Sequence, residues 1–436
     1  MNVTRRKDTD PCPPSAVSHG VGIAGLVGLM AWVAVALHFG MDGPYAGLAG
    51  VFACGVPMVL WSVLVDRVHL RASTGIDWKG PLKPFSETLD ISLVKLAGLW
   101  ATWAGIAVAY CLARWYWDGS YRFAMEMFGT AAPWLFGLSI PYVFWLDRRM
   151  VDPRDGAYAF GQLIVGAAGT PDRAEVENHL RSWLVKAFFL AFMLSIVPGN
   201  FADMVRVGAG NVLAGPVELA RFLIALMFVV DVAFATVGYM LTCKILDAHI
   251  RTANPFMAGW VAALICYPPF VLMNNGGPLD YHAGTQDWSY WFAAHPVLLW
   301  SVGGVLVGLT AVYAWATVAF GLRFSNLTHR GILTHGPYRW TKHPAYVSKN
   351  LFWWLSTLPF LVTSGSLTDM ARNTALLAVV SGVYYWRART EERHLSADPD
   401  YVAYAEWMDR NGPLPRLIGW VTGRKGGAGS VVQAAE

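Results

Sequence analysis

Residues 21–40 contain no Asp, Glu, Lys or Arg, and runs of similar length and polarity recur along most of the chain. A helix rises about 1.5 Å per residue, so about 20 apolar residues cross the hydrocarbon core of a bilayer. Within that core a backbone must satisfy its own N–H and C=O groups, and a helix does so inside one segment. Candidate spans lie at 21–40, 45–65, 91–113, 124–146, 183–199, 218–242, 255–273, 290–320, 347–364 and 371–387. The fifth is short and interrupted by Pro198-Gly199, and the eighth is long enough to tilt or to project from the bilayer. The expected fold class is an all-α polytopic membrane protein. It has about ten transmembrane helices and a C-terminal cytoplasmic helical cap.

Composition agrees. Only 14% of residues are charged, against about 25% in an ordinary soluble domain. The 21 Trp residues suit helices anchored at the lipid–water boundary. A net charge of +4 is too small to imply a nucleic-acid partner. The five cysteines, Cys12, Cys54, Cys111, Cys243 and Cys266, form no C-x-x-C pair. They read as small hydrophobes, not as metal ligands or a disulfide framework.

Arg5, Arg6 and Lys7 precede the first run, which is longer than a signal-peptide core and lacks a small-residue cleavage site. It reads as a retained span with the N-terminus cytoplasmic. Ten spans then place the C-terminus on the same side. Lys and Arg concentrate in the connections that this topology makes cytoplasmic, while the outer loop 274–289 holds none. Two of those connections, 66–90 and 147–182, mix basic and aromatic residues and suit either an anionic leaflet surface or a solvated connector. Lys95 and Lys349 lie near span ends, where long stems can reach back to the interface. Asp231 lies mid-span and needs a partner, either a neighbouring hydroxyl or amide or a substrate or proton.

Two clusters carry chemistry. In His335-Gly336-Pro337-Tyr338-Arg339-Trp340-Thr341-Lys342-His343-Pro344-Ala345-Tyr346, the two prolines break helix and force an extended entry. The result is a shaped turn at a bilayer edge. After the last span come Arg387, Arg389, Glu391, Glu392 and Arg393. Consecutive helical residues differ by about 100°, so one glutamate can face the bundle and the other a basic side chain. Arg387 and Glu391 are i,i+4 neighbours. Asp398-Pro399 then reads as a helix start, putting Tyr401 and Tyr404 on one side of a short helix.

Together these residues, with Leu395 and Pro415, resemble the isoprenylcysteine carboxyl methyltransferase family, and phospholipid methyltransferases share much of the pattern. The likeness covers about residues 290–418 and implies a methyltransferase core at 251–422. It leaves 1–250 as an N-terminal transmembrane region of about six spans and 423–436 as a Gly-rich, flexible tail. Where the family carries Arg before His-Pro, this chain has Lys342, which keeps the charge but loses the planar fork.

The resemblance implies S-adenosylmethionine as cofactor and a lipid or lipid-linked acceptor entering from the bilayer. Gly336, Tyr338, Lys342, His343, Pro344, Tyr346, Glu391, Glu392, Tyr401 and Tyr404 are the cofactor-binding candidates; His343, Arg339 and Glu392 are the catalytic ones. His335 and His394 join His343 as candidate bases for an amine or hydroxyl acceptor, whereas a carboxylate or phosphate needs none. The N-terminal spans are expected to supply a lipid-access chamber or the dimer interface of a homo-oligomer.

Two other readings compete. An NADPH-dependent membrane reductase of the steroid or sterol type has similar C-terminal helices and a similar turn. Its cofactor carries a diphosphate, beside which Glu391 and Glu392 are unfavourable. A lipid transporter or lipid-handling protein would use the spans and Asp231 as a pathway, but no matched halves are found. The excess of Arg over Lys, 24 to 9, points to a GC-rich bacterial source and an inner-membrane location, with the endoplasmic reticulum as the alternative.

Overall fold

The computed structural model describes residues 11–167, 169–413 and 416. Arg5, Arg6, Lys7, Pro415 and the expected tail 423–436 lie outside the described residues. The molecule is a helical bundle in which, among the described residues, seven helices are long and apolar enough to cross a membrane. These are α1 (His19–Phe39), α2 (Pro44–Leu60, prolonged by a π-turn to Val65), α3 (Phe85–Leu112), α4 (Tyr121–Asp147), α6 (Arg173–Gly208), α7 (Pro216–Met240) and α10 (Pro296–Phe320). Between and after them come α5 (Gly156–Val165), α8 (Met257–Leu264), α9 (Trp288–Trp291), α11 (Pro344–Thr357), α12 (Leu367–Leu395) and α13 (Pro399–Asn411).

Four of the expected spans differ. The fifth is no broken segment, because α6 continues through Pro198 for 36 residues. Val197, Phe201 and Met204 are buried on both sides of that proline, so tertiary packing holds the helix through the lost hydrogen bond. The seventh, 255–273, contains only the eight-residue α8; Pro268-Pro269 cannot extend it. The ninth, 347–364, is the 14-residue α11, ended by Leu358 in a left-handed conformation. The tenth lies inside the 29-residue α12, whose charged C-terminal turns carry Glu391 and Glu392.

One core cluster joins Leu29 and Met58 of α1 and α2, Met204 of α6, Phe234 of α7, Ala314 and Ala319 of α10, and Tyr338. Apolar packing is therefore continuous across residue 250, from the N-terminal helices to the turn. Between α3 and α5 the backbones nearly touch. A Cβ on Gly98 would stand 2.1 Å from the Ala157 carbonyl oxygen, so no larger residue fits there.

The connections 66–84, 148–155, 241–256 and 321–343 are laced together at one end of the bundle. Asp77 N–H donates to the Arg149 carbonyl, and Arg251 N–H to that of His329. Thr252–Ala253 (β1) pairs antiparallel with Thr328–His329 (β2). Asp247 receives Arg323 at 2.6 Å and Ser73 at 2.9 Å. Arg330 fans into the carbonyls that end α7 and α10. Lys95 does not reach the interface; it is buried between Asp147 at 2.8 Å and Asp155 at 2.9 Å. Asp231 accepts from the hydroxyls of Tyr313, at 3.0 Å, and Thr317, both on α10.

The N-terminal strap 12–18 is tied to the segment 332–335 leading into the turn. Ala16 N–H donates to the Ile332 carbonyl at 2.9 Å, Thr334 Oγ1 to that of Pro13 at 2.7 Å, and Ser15 Oγ lies 2.7 Å from His335 Nδ1. Burial, then the neighbouring His19, pushes the His335 imidazole down to about 4. It is therefore neutral near pH 7 and can accept the Ser15 proton. An unfolded histidine titrates near 6.5, so the unfolded chain takes up this proton first. The contribution is whole above that value and is lost as pH falls towards 4. The shift bounds it at about 3 kcal/mol. The melting temperature should fall between pH 7.5 and pH 5, and His335→Asn should make that decline shallower in a thermal-shift series.

Candidate active site

The turn and the glutamates meet at the laced end of the bundle. Gly336 adopts φ +59°, which lets the chain turn under Trp315 into the short 3₁₀ helix Gly336–Arg339. Pro344 opens α11 and His343 is its N-cap residue, with φ −130° and ψ 58°, which is not the extended conformation expected before a proline. These two positions aim His343 and Tyr346 at the last turns of α12. Their rings lie parallel, 5.6 Å apart at 7°.

The adjacent glutamates face different partners. Glu392 Oε1 lies 3.0 Å from His343 Nε2 and 3.6 Å from Lys342, while Oε2 receives Arg389 at 2.6 Å. Glu391 accepts a hydrogen bond from the Tyr346 hydroxyl and lies 3.6 Å from Arg387 Nε. Arg387 itself is buried, stacks over Tyr346 at 5.2 Å and Tyr267 at 5.4 Å, and donates to Asn326 Oδ1 at 2.5 Å. Burial pushes the Glu392 carboxyl up. The His343 hydrogen bond and the charges of Lys342 and Arg389 outweigh burial and hold it below the ordinary glutamate range.

Around this centre the other expected residues fall into two groups. Tyr404 donates to the Tyr338 carbonyl at 2.7 Å, which fastens α13 to the turn. Tyr401 is buried beside it with Ile332 and Met408, and its hydroxyl has no partner among the described residues. Arg339 is exposed and makes no polar contact with the glutamates among the described residues. His335 is held by the strap, and His394 bonds Thr252 at 3.0 Å, so of the three histidines only His343 touches the carboxylates. Lys342 also reaches Asp409 of α13 at 3.4 Å.

Tyr267, Asn326 and Tyr384 were missed as part of this site. Tyr384 packs edge-on to Tyr346 at 5.6 Å. Each lies in an apolar stretch or a connector with no local motif, and the one available signal was the pairing demanded by Arg387.

Two buried donors at the cluster make no hydrogen bond among the described residues: Tyr401 Oη, and Arg387 Nε, which has only the long ion pair to Glu391 at 3.6 Å. Orphaned donors of this kind are costly and call for an acceptor from a bound molecule. The parallel His343 and Tyr346 rings offer a face for a planar heterocycle, and the carboxylates offer acceptors for hydroxyl or ammonium groups. No curated protein and no solved structure matches the chain. The model of the isoprenylcysteine carboxyl methyltransferase (ICMT) family matches residues 297–397, a stretch that holds the turn, α11 and both glutamates. It is in this C-terminal part, where the polar cluster sits, that the chain is similar to the ICMT family.

Proposed function

We propose that the chain is an integral-membrane, S-adenosylmethionine-dependent methyltransferase that acts on a lipid or lipid-linked acceptor at the cytoplasmic face. The observation that carries this reading is the union of the His343–Tyr346 pair with Glu391 and Glu392 inside the family-matched segment. The side assignment rests on charge. Arg71, Lys79, Lys83, Arg148, Arg149, Lys244, Arg251 and Lys342 share the end that bears the cluster, whereas 274–289 has no Lys or Arg. That distribution fits a bacterial inner membrane with both termini inside.

When bound, S-adenosylmethionine supplies an electrophilic methyl group on a sulfonium. Its groups match the donor set. Glu391 or Glu392 would accept from ribose hydroxyls or the methionine ammonium, and His343 and Tyr346 would stack on adenine. Lys342 or Arg339 would meet the carboxylate. Gly336, Tyr338, Pro344, Tyr401 and Tyr404 would shape and floor the pocket. Holding donor and acceptor in register supplies much of the acceleration of an in-line displacement. His343, hydrogen-bonded to Glu392, is the residue placed to take a proton from an amine or hydroxyl acceptor. The N-terminal helices would serve as the scaffold and lipid access of this core.

Calorimetry of the detergent-solubilised protein with S-adenosylmethionine and with NADPH tests the cofactor class. Methyl-labelled S-adenosylmethionine added to membranes tests the acceptor class. Binding of the first cofactor and label in the lipid fraction are expected. Binding of NADPH alone, or label absent from lipid, would overturn the proposal.

A further inference from the structure

Below the cofactor cluster lies a second polar group that the methyl-transfer reading does not use. Lys349 is on α11, five residues past Pro344 and so about 7.5 Å further along the helix. Its ammonium stands 5.5 Å from the Tyr313 ring, 5.2 Å from Trp353 and 5.5 Å from Tyr384. Among the described residues it makes no hydrogen bond and no ion pair. The nearby Asp231 carboxylate is engaged by Tyr313 and Thr317. The expected reach to the interface is not taken; the stem points into a frame of three aromatic rings.

An ammonium at that depth, held by ring faces and by its attraction to Asp231 but by no hydrogen bond among the described residues, is costly. Ring faces stabilise the charge but accept no full hydrogen bond. What the site lacks is an oxygen acceptor, and the best one is an anion. The frame also touches the cofactor cluster, because Tyr384 packs against both Lys349 and Tyr346. On the outer side of α11, Val347 and Leu351 are exposed apolar residues, which suits contact with acyl chains.

We propose that Lys349, framed by Tyr313, Trp353 and Tyr384, binds the anionic headgroup of a bilayer amphiphile and thereby selects the acceptor. The inference rests on the methyltransferase reading for the word acceptor, but the anion site stands on its own geometry. The shared chemistry is a negatively charged oxygen, from a phosphate diester or from a carboxylate.

Native mass spectrometry of the full-length protein tests it, with phosphatidylglycerol, oleate and uncharged diacylglycerol as probes. Wild type should retain phosphatidylglycerol or oleate about tenfold better than diacylglycerol, the effect of one charge-assisted hydrogen bond. Phosphatidylglycerol alone would identify a phosphate, and oleate alone a carboxylate. Lys349→Met should abolish the preference and Lys349→Arg should keep it. Lys186→Met, which removes another half-buried lysine set against an aromatic ring, that of Trp183, should leave it unchanged. Equal retention of anionic lipid by wild type and Lys349→Met overturns the proposal; so does loss of retention in Lys186→Met to the same degree. S-adenosylmethionine affinity is measured in parallel. Its absence from wild type would sink the methyltransferase reading while leaving the lipid result intact.

Discussion

Arg330→Ala is expected to keep the chain from reaching its folded state in membranes or detergent. Arg330 is 3% exposed and donates to five backbone carbonyls, those of Gly238, Leu241, Ala248, Leu322 and Phe324. Four of them lie at the C-terminal ends of α7 and α10, where the helix dipoles favour a cation and the last carbonyls lack helical partners. Its own carbonyl accepts from Arg323, which binds Asp247, so one removal disturbs the whole laced end. Each buried acceptor left unpaired costs about 1–3 kcal/mol, so the sum is about 5 kcal/mol or more. Total stabilities are about 5–15 kcal/mol. Arg330→Lys should rescue only part of this, because an ammonium has three donors and no planar fork. The check is monodisperse yield on size exclusion together with the thermal-shift midpoint. Near-wild-type behaviour of Arg330→Ala would show that water replaces the guanidinium in the laced end.

The same contact bears on domain organisation. Residues 251–436 on their own would lack the Gly238, Leu241 and Ala248 carbonyls and the α7 side of the core around Phe234. The family match begins only at residue 297, and the packing and the hydrogen bonds run across residue 250.

The two chemical clusters were legible because each is local. Pro337 and Pro344 fix a turn, Arg387 and Glu391 are one helical turn apart, and Asp398-Pro399 starts α13, with Asp398 capping Asp400 N–H at 2.8 Å. Long apolar runs were equally plain in α1, α2, α3, α4, α7 and α10. Hydropathy alone misjudged 255–273 and 347–364, since apolar residues also line a short helix and an irregular segment packed against helices such as α12. It misjudged Pro198 in the opposite direction. Arg330, Asn326 and Tyr267 could not be placed from sequence, because each has partners 59 to 120 residues away in the chain. Arg339 shows the converse limit. The motif offered it as a catalytic candidate and a partner for the cofactor carboxylate; it is exposed on the 3₁₀ helix and makes no polar contact with the glutamates among the described residues.

Glu392→Ala should weaken S-adenosylmethionine binding by about tenfold to 100-fold, the range for charge-assisted hydrogen bonds at about 1.5–3 kcal/mol, and should abolish methyl transfer. Glu392 is the common partner of His343, Lys342 and Arg389, so its removal releases the imidazole, frees Arg389 and leaves Lys342 with Asp409 alone. The global fold should survive, because the Glu392 side chain is 15% exposed and that of Arg389 45%, so water can replace much of what is lost. Glu392→Gln separates charge from geometry. It keeps an oxygen for His343 but no longer balances Lys342 and Arg389. A glutamine variant that binds cofactor normally yet turns over slowly would assign the charge to catalysis, whereas loss of binding in both variants would assign it to the cofactor. Acid provides an independent handle. The Glu392 carboxyl is held below the ordinary range, so its ionised contacts are present above the usual glutamate value near 4.3. They should persist through that value and be lost only as pH falls through the lower folded value. Cofactor binding measured from pH 7 downwards should therefore not decline near 4.3 on account of this residue. A decline centred there, absent in Glu392→Gln, would mean that Lys342 and Arg389 do not hold the carboxylate as the structure places them.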